Sequence, residues 1–326
     1  MIHVALTIDS NYVKYCAVVI ASVINSGAGE AFTFHVVGNG LSDDDKSAIA
    51  SVATSLSSGA SVRFYGVPDY LLSQYSLLWG RGRLSMTVFY RCMLASLLPP
   101  SVERVVYLDC DVIVVRSLRR LWDSPLDGLA LAAVPDLLRT PDEYFERLRY
   151  DRSFGYFNGG VLLLNLDYWR EHGVEDRLSS YFRDHRDRVV RNDQDIMNAV
   201  LYKEKKLLDY VWNVQIDVFD RVNHKNREAS DRCLRIISEA AIIHFCHRKK
   251  PWHFACAHPM RRVYFDAERL TPYDSLAALQ SGKVRARLFF HNILYTLGIK
   301  KQKMLTEREL RALLADYGNR TGSALR

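Results

Sequence analysis

Two carboxylates set two residues apart inside an apolar run carry the strongest chemical signal in the sequence: Val105-Val-Tyr-Leu-Asp109-Cys110-Asp111-Val-Ile-Val-Val115. In an extended segment, residues i and i+2 project to the same side, so Asp109 and Asp111 are expected to aim at one spot. Like charges drawn into apolar surroundings are costly unless a cation neutralises them. A divalent metal is the natural partner; a surface pair at a strand end is the competing reading. A second cluster, His244-Phe-Cys-His247-Arg-Lys-Lys250-Pro-Trp252, follows the apolar run Ala240–Ile243 and so ends another strand. A neutral imidazole at His244 can complete the carboxylates' metal shell, and Lys250 can meet a phosphate as a point charge. Otherwise His244 reads as a hydrogen-bonded structural residue and Lys250 as a solvated lysine. Carboxylate, imidazole and phosphate ligands suit Mn²⁺ or Mg²⁺. Strand alternation turns Cys110 away from the metal.

These groups need a frame, and residues 1–130 supply one in a βα alternation. The apolar run Ile2–Ile8 precedes a helix with Val13, Ala17, Ile20, Ala21 and Ile24 along one face. Phe32–Val37 reads as a second strand, and Ser42 followed by three aspartates opens the next helix. A third strand covers about Ser61–Tyr65, and a helix from about Ser85 to Leu97 stops at Pro99-Pro100, because proline has no amide to donate. The alternation predicts an α/β fold whose mostly parallel sheet is covered on both faces. Such sheets take ligands beyond the carboxyl ends of their strands. From about 128 to 265 the pattern is less regular, with a strand at Gly160–Leu166 and a helix beginning near Asn192. The length, 326 residues with 48% apolar and 25% charged, suffices for one large domain with an appendage. Six cysteines without a CxxC read as a reduced, cytosolic protein. The start lacks a basic segment before an apolar stretch, and no apolar run reaches the roughly 18 residues of a spanning helix.

Several motifs then fall in one order: Asp9-Ser10-Asn11-Tyr12, Arg91, Tyr107-Leu-Asp109-Cys-Asp111, Phe157-Asn158-Gly159 through Asn165, Asn192-Asp193-Gln194-Asp195, and His244-x-Cys-x-x-x-Lys250-Pro-Trp252. Over about residues 1–265 the chain resembles glycosyltransferase family 8, retaining enzymes of GT-A fold, and within it the bacterial lipopolysaccharide galactosyl- and glucosyltransferases. Residues 266–326, outside the match, read from their own composition as a basic helical region. The resemblance implies a GT-A (Rossmann-like) catalytic domain over 1–265. It implies a UDP-sugar donor, a glycan acceptor and a metal on Asp109, Asp111 and His244. It places Thr7, Asp9, Asn11 and Tyr12 at the nucleotide, with Tyr12 stacked on the base. Arg91, Asn158, Gly159, Asp193 and Gln194 surround the donor sugar, and Cys110, His247 and Lys250 complete the donor site. From residue types alone, Asp9-Ser10-Asn11 also reads as a turn and cap, Asp193 as a helix N-cap and Arg91 as a helix-surface ion pair. Gln194 and Asp193 are the catalytic candidates. An amide is a weak nucleophile and a carboxylate a better one; front-side attack aided by Gln194 is preferred, and double displacement through Asp193 stays open. Family members often carry glycine where this chain has His247, which bears on the donor's identity.

The basic charge belongs to the tail. Residues 281–326 hold ten Lys or Arg and three acids, whereas residues 1–280 hold 34 of each. Lys283, Arg285, Arg287, Lys300, Lys301 and Lys303 flank Leu288, Phe289, Ile293 and Leu297, the pattern of an interfacial helix drawn to anionic lipid. A helix packed on the catalytic domain with a basic edge is the other reading. The membrane reading sets the protein in the cytoplasm, peripheral on the inner face of the cell membrane, beside a lipid-linked acceptor. No groove-reading motif accompanies the charge, so nucleic acid is not an expected partner. A non-catalytic binder of nucleotide sugars or glycans is the alternative on this fold, but damage to the D-x-D or His244 would be expected of it. A metal-dependent phosphohydrolase or nuclease would need further carboxylates for a second metal. The expected function is transfer of galactose or glucose from a UDP-sugar to a glycan, lipopolysaccharide core or another surface glycan.

Overall fold

The structure, a computed structural model, describes residues 1–75, 86–275 and 302–321. Its strands, in chain order, are β1 (Ile2–Thr7), β2 (Phe32–Val37), β3 (Ala60–Tyr65), β4 (Arg104–Leu108), β5 (Val112–Val114), β6 (Leu131–Pro135), β7 (Phe157–Asn165), β8 (Lys205–Leu207) and β9 (Ile242–His244). All but β5 and β9 form one sheet in the order β3-β2-β1-β4-β7-β6-β8. Pairs β1–β2, β2–β3, β1–β4 and β6–β8 are parallel, and the two pairs made by β7 are antiparallel. The sheet is mostly parallel, as the alternation of elements predicts.

Its strands are apolar on both faces because alternate residues enter different cores. Val4, Leu6, Val106 and Leu108 pack with α1 (Val13–Ser26), whereas Ala5, Val105 and Tyr107 pack with the turns around Phe89–Leu98 and helices between 166 and 201. Asp9 caps the short turn that leads into α1, its Oδ1 accepting from the Asn11 amide at 3.0 Å. Helix α2 (Asp43–Leu56) opens with a reciprocal cap, Ser42 Oγ accepting from the Asp45 amide and Asp45 Oδ2 from the Ser42 amide. Strand β1 has β2 on one side and β4 on the other, so the crevice at the carboxyl ends of β1 and β4 is a topological switch point.

Three local expectations are corrected. The run 105–115 is not one strand: the chain turns at Asp109–Asp111, between β4 in the main sheet and β5 in a separate two-stranded sheet with β9. The polar residues at the centre of the run mark that turn. Strand β7 begins at Phe157, before the expected Gly160, and takes both glycines into the sheet. The expected helix of 85–97 is broken by a 3-10 turn at Arg91–Met93, where Arg91 turns into the interior. The C-terminal helix Glu307–Thr321 packs on the catalytic core. Leu305 and Leu310 are buried, Arg221 holds Glu309 at 2.8 and 2.6 Å, and Arg320 holds Asp231 at 3.0 and 2.6 Å. The expected membrane-facing stretch from Lys283 to Lys301 lies outside the described residues. Among the described residues, no helix is long and apolar enough to cross a membrane.

Candidate active site

Asp109 follows β4, Asp111 precedes β5 and His244 ends β9. The β5–β9 pairing sets Val112 opposite His244, and the Phe245 amide donates to the Asp111 carbonyl at 2.9 Å. One ligand atom from each of Asp109, Asp111 and His244 then lies within 4.8 Å of the others, and His244 Nε2 is 3.3 Å from Asp111 Oδ1. His244 Nδ1 lies 2.9 Å from Asn213 Oδ1, while Asn213 Nδ2 donates to Asn158 Oδ1 at 2.9 Å. Because the Asn213 amide nitrogen is engaged by Asn158, its oxygen must accept from Nδ1–H. That assignment leaves the Nε2 lone pair facing the carboxylates, the tautomer a metal ligand requires. Asn158 is fixed in turn, donating to Asp136 Oδ1 at 2.9 Å and accepting from the Gly160 amide at 3.0 Å.

Gly160 stands opposite Asp109 in the sheet and accepts from its amide at 2.8 Å. A Cβ here would overlap His244 Cε1 and stand 2.8 Å from Asp109 Oδ2. Asp109, Asp111 and His244 therefore close on one point only because position 160 lacks a side chain.

Charge balance accounts for the rest of the arrangement. Lys250 Nζ pairs with Asp111 Oδ2 and donates to the Phe245 carbonyl at 3.0 Å. Burial pushes the Asp111 carboxyl up, but the Lys250 ammonium beside it outweighs burial and holds the group well below the usual carboxylate range. Arg91 is buried, with Nη2 2.9 Å from Asp109 Oδ1, Nη1 on the Gly159 carbonyl and its guanidinium 4.5 Å above the Tyr107 ring. Its Nε lies 2.9 Å from Asp193 Oδ2, a close charge contact whose alignment falls short of a hydrogen bond. Tyr107 donates its hydroxyl to Asp109 Oδ1 at 2.8 Å and lies 3.1 Å from Thr7 Oγ1. Arg91 is thus a buried hinge between two carboxylates, not a helix-surface ion pair. Asp193 is the second residue of the helix Asn192–Leu201 rather than its cap. Gln194 Oε1 accepts from the Gly159 amide at 2.9 Å and its Nε2 donates to the Tyr156 hydroxyl at 3.2 Å.

Two predictions arise from these pairs. Arg91→Met strands two buried carboxylates and should lower stability by about 3 kcal/mol, measured by urea unfolding. A loss under about 1 kcal/mol would contradict the pairing. Burial pushes the Asp193 carboxyl up to about 6, with Arg91 pulling it back. The folded state thus binds this proton more tightly than the unfolded chain. The associated stability is fully present below the ordinary carboxylate value and is lost as pH rises through about 6. Asp193→Asn should flatten that part of the profile of melting temperature against pH; an unchanged profile contradicts the assignment.

Two cavities, of about 430 and 380 Å³, share Arg91, Asp109, Asp111 and Lys250 in their walls. Thr7, Asp9, Tyr12 and Cys110 line the first, at the switch point; Asn158, Asp193, Gln194, His244 and His247 line the second. Asp9 therefore both caps a turn and faces the cavity. Asn11 lines neither cavity, its backbone serving the Asp9 cap; Gly159 holds Arg91 and Gln194 while Gly160 forms the wall. Cys110 sends its thiol to Cys16 of α1, and that contact with burial holds it well above its ordinary value. Tyr12 sits at the rim, edge-on to Tyr15, which stacks on Trp252 at 3.7 Å. His247 is exposed and borders the second cavity, not the first, so its bulk falls away from the cavity at the switch point. Sequence reasoning missed Gly160, Asn213 and Asp136. Asp136 directly follows the apolar strand β6, the same signal that exposed Asp109; its Oδ2 makes no hydrogen bond, with Arg191 Nη1 at 3.9 Å. Nothing in the local sequence marks Asn213.

The profile of Glycosyl transferase family 8 matches residues 3–256. The chain belongs to this family. General stress protein A of Bacillus subtilis is 25% identical over 85% of this chain and 96% of its own length. A lipopolysaccharide 1,3-galactosyltransferase of Salmonella typhimurium is 24% identical over 94% of this chain and 91% of its own. The fold is similar to that of the galactosyltransferase LgtC in complex with donor and acceptor sugar analogues, with TM-score 0.70, 25% identity and coverage of 88% of this chain and 100% of that one. The family-8 match takes in the nine described strands, all but Ile2 of β1, and each residue of the two cavity walls. The protein is a glycosyltransferase of GT-A fold.

Proposed function

We propose that this family-8 enzyme transfers a hexosyl group, galactose or glucose, from a UDP-sugar to a glycan with retention of configuration. The observation that carries the reading is the Asp109–Asp111–His244 cluster lying, with Lys250, at the seam between the two cavities. The donor set fits Mn²⁺ or Mg²⁺: two carboxylates, an imidazole with its free lone pair turned inward, and a glycine-walled gap between them. When bound there, such an ion neutralises the diphosphate and stabilises the charge that develops on departing UDP.

The residues divide the remaining work. Tyr12 offers a ring face to the base, and Thr7 and Asp9 offer polar partners to the nucleoside. Lys250 adds a point charge for the same phosphates. Asp193 is restrained by Arg91, whose Nε lies 2.9 Å from its Oδ2. Gln194, fixed between Gly159 and Tyr156, sets an amide dipole in the sugar cavity, which supports front-side attack with that dipole opposing positive charge at the anomeric carbon. The intact ligand set weighs against a non-catalytic binder.

A lipid-linked acceptor such as lipopolysaccharide core follows by likeness to the Salmonella relative. Peripheral attachment through the basic stretch around Lys283, Arg285 and Arg287 accords with it. Charge reversal at these three positions should weaken binding to anionic vesicles; deletion is unsuitable, because it removes the helix docked on the core. Donor class is tested by thermal shift with Mn²⁺ present. UDP-galactose or UDP-glucose should raise the melting temperature and GDP-mannose should not; equal or absent shifts would refute the assignment.

A further inference from the structure

A third cavity, of about 330 Å³, adjoins the sugar cavity through Ile216 and His247 and shares no residue with the nucleotide cavity. The compartments therefore run in a row: nucleotide, metal and sugar, then this one. Among the described residues, no carboxylate lines it. Its cations are Lys249 and Lys303, neither ion-paired among the described residues. Asp220 lies near Lys303 and His247 but outside the wall. His258, in the same wall, is 6% exposed. Its Nδ1 accepts from the Met260 amide at 3.2 Å, which puts the ring proton on Nε2, and Nε2 is buried with no hydrogen-bond partner. The ring packs edge-on to Phe219 and Phe245, at 4.6 and 4.7 Å, so this nitrogen is closed off from the cavity and His258 shapes the wall. Phe245, Ile216 and Met304 supply apolar surface suited to the face of a sugar ring. The Lys303 edge is held in place, its carbonyl accepting from the Arg221 amide at 2.8 Å and the Leu305 amide donating to Phe219 at 2.9 Å.

We propose that this cavity is an acceptor subsite for a sugar bearing an anionic substituent, phosphoryl or carboxylate, beyond the sugar that receives the hexose. The inference rests on the transferase reading, since it takes the middle cavity as the place of transfer. Lys249 and Lys303 supply charge, and the segment Gln302–Met304 closes one side. This segment, just ahead of the packed helix Glu307–Thr321, thereby gains a part in acceptor choice.

The test uses the full chain saturated with UDP and Mn²⁺, so that the diphosphate site is filled before any sugar is added. Methyl glucoside, glucose 6-phosphate, glucuronate and inorganic phosphate are then titrated by ligand-observed NMR. At least one anionic sugar should bind about tenfold or more tightly than methyl glucoside, and less so at high salt. Preference between glucose 6-phosphate and glucuronate names the substituent. The double variant Lys249→Gln, Lys303→Gln should erase the preference while leaving methyl glucoside binding and slow UDP-hexose hydrolysis unchanged. Equal binding of neutral and anionic sugars would overturn the inference, as would a preference surviving in the double variant. Inorganic phosphate binding as tightly as glucose 6-phosphate would reduce the cavity to a bare anion site and also overturn it. Failure to bind UDP with Mn²⁺ at the outset would sink the transferase reading as well, and is seen separately.

Discussion

Asp111→Asn should lower metal-dependent UDP release by at least about 10³-fold while leaving the protein folded. The amide keeps the shape of the side chain but removes the charge that Lys250 and His244 both face. It leaves Asp109 as the only carboxylate in the ligand set, too little for a hard divalent ion. The variant should also show a pH signature. The folded Asp111 carboxyl is depressed below its ordinary value, so the stability it contributes is present above the ordinary value and lost as pH falls through the depressed one. Asp111→Asn should therefore lose stability at neutral pH. Mn²⁺ affinity followed by electron paramagnetic resonance checks the ligand role independently of turnover. Retention of wild-type Mn²⁺ affinity would exclude Asp111 as a ligand.

Gly160→Ala should be nearly as damaging although it touches no ligand's chemistry. The added methyl would occupy the space of His244 Cε1 and press on Asp109 Oδ2. Position 160 has no left-handed backbone to strain, so the effect comes from close approach alone. Moving the imidazole by an ångström is enough to cost about 10²-fold in a positioned site. Mn²⁺ affinity and UDP release should both fall by at least that factor. Gly159→Ala is the internal comparison, since its Cβ would meet nothing closer than 3.4 Å. Equal effects at the two glycines would mean that position 160 does not shape the metal site.

The chemical groups were more legible in the sequence than their geometry. Asp109, Asp111 and His244 announced themselves because a polar residue ending an apolar run marks the carboxyl end of a strand, where α/β sheets hold ligands. Their convergence was hidden, because it depends on β5 pairing with β9 across a long sequence separation. The same limit hid Asn213, whose role is to orient His244 from a loop with no local pattern. Arg91 and Asp193 looked like an ordinary helix residue and an ordinary cap, since local periodicity cannot reveal that one buried guanidinium binds both Asp109 and Asp193. In the tail, charge was legible but docking was not. Leu305, Leu310 and the pairs to Arg221 and Asp231 fasten the last helix, and few of these groups differ in type from a solvated helix.

The most direct test of a metal-dependent hexosyltransferase site is UDP release from UDP-galactose and UDP-glucose by wild type and Asp111→Asn, with Mn²⁺ or with EDTA. The predicted result is slow hydrolysis of one donor by wild type, stopped by EDTA, restored by Mn²⁺ and absent in the variant. Release that ignores EDTA or persists in Asp111→Asn would contradict the metal centre, and no release from either donor, even with glycan acceptors present, would contradict the donor assignment.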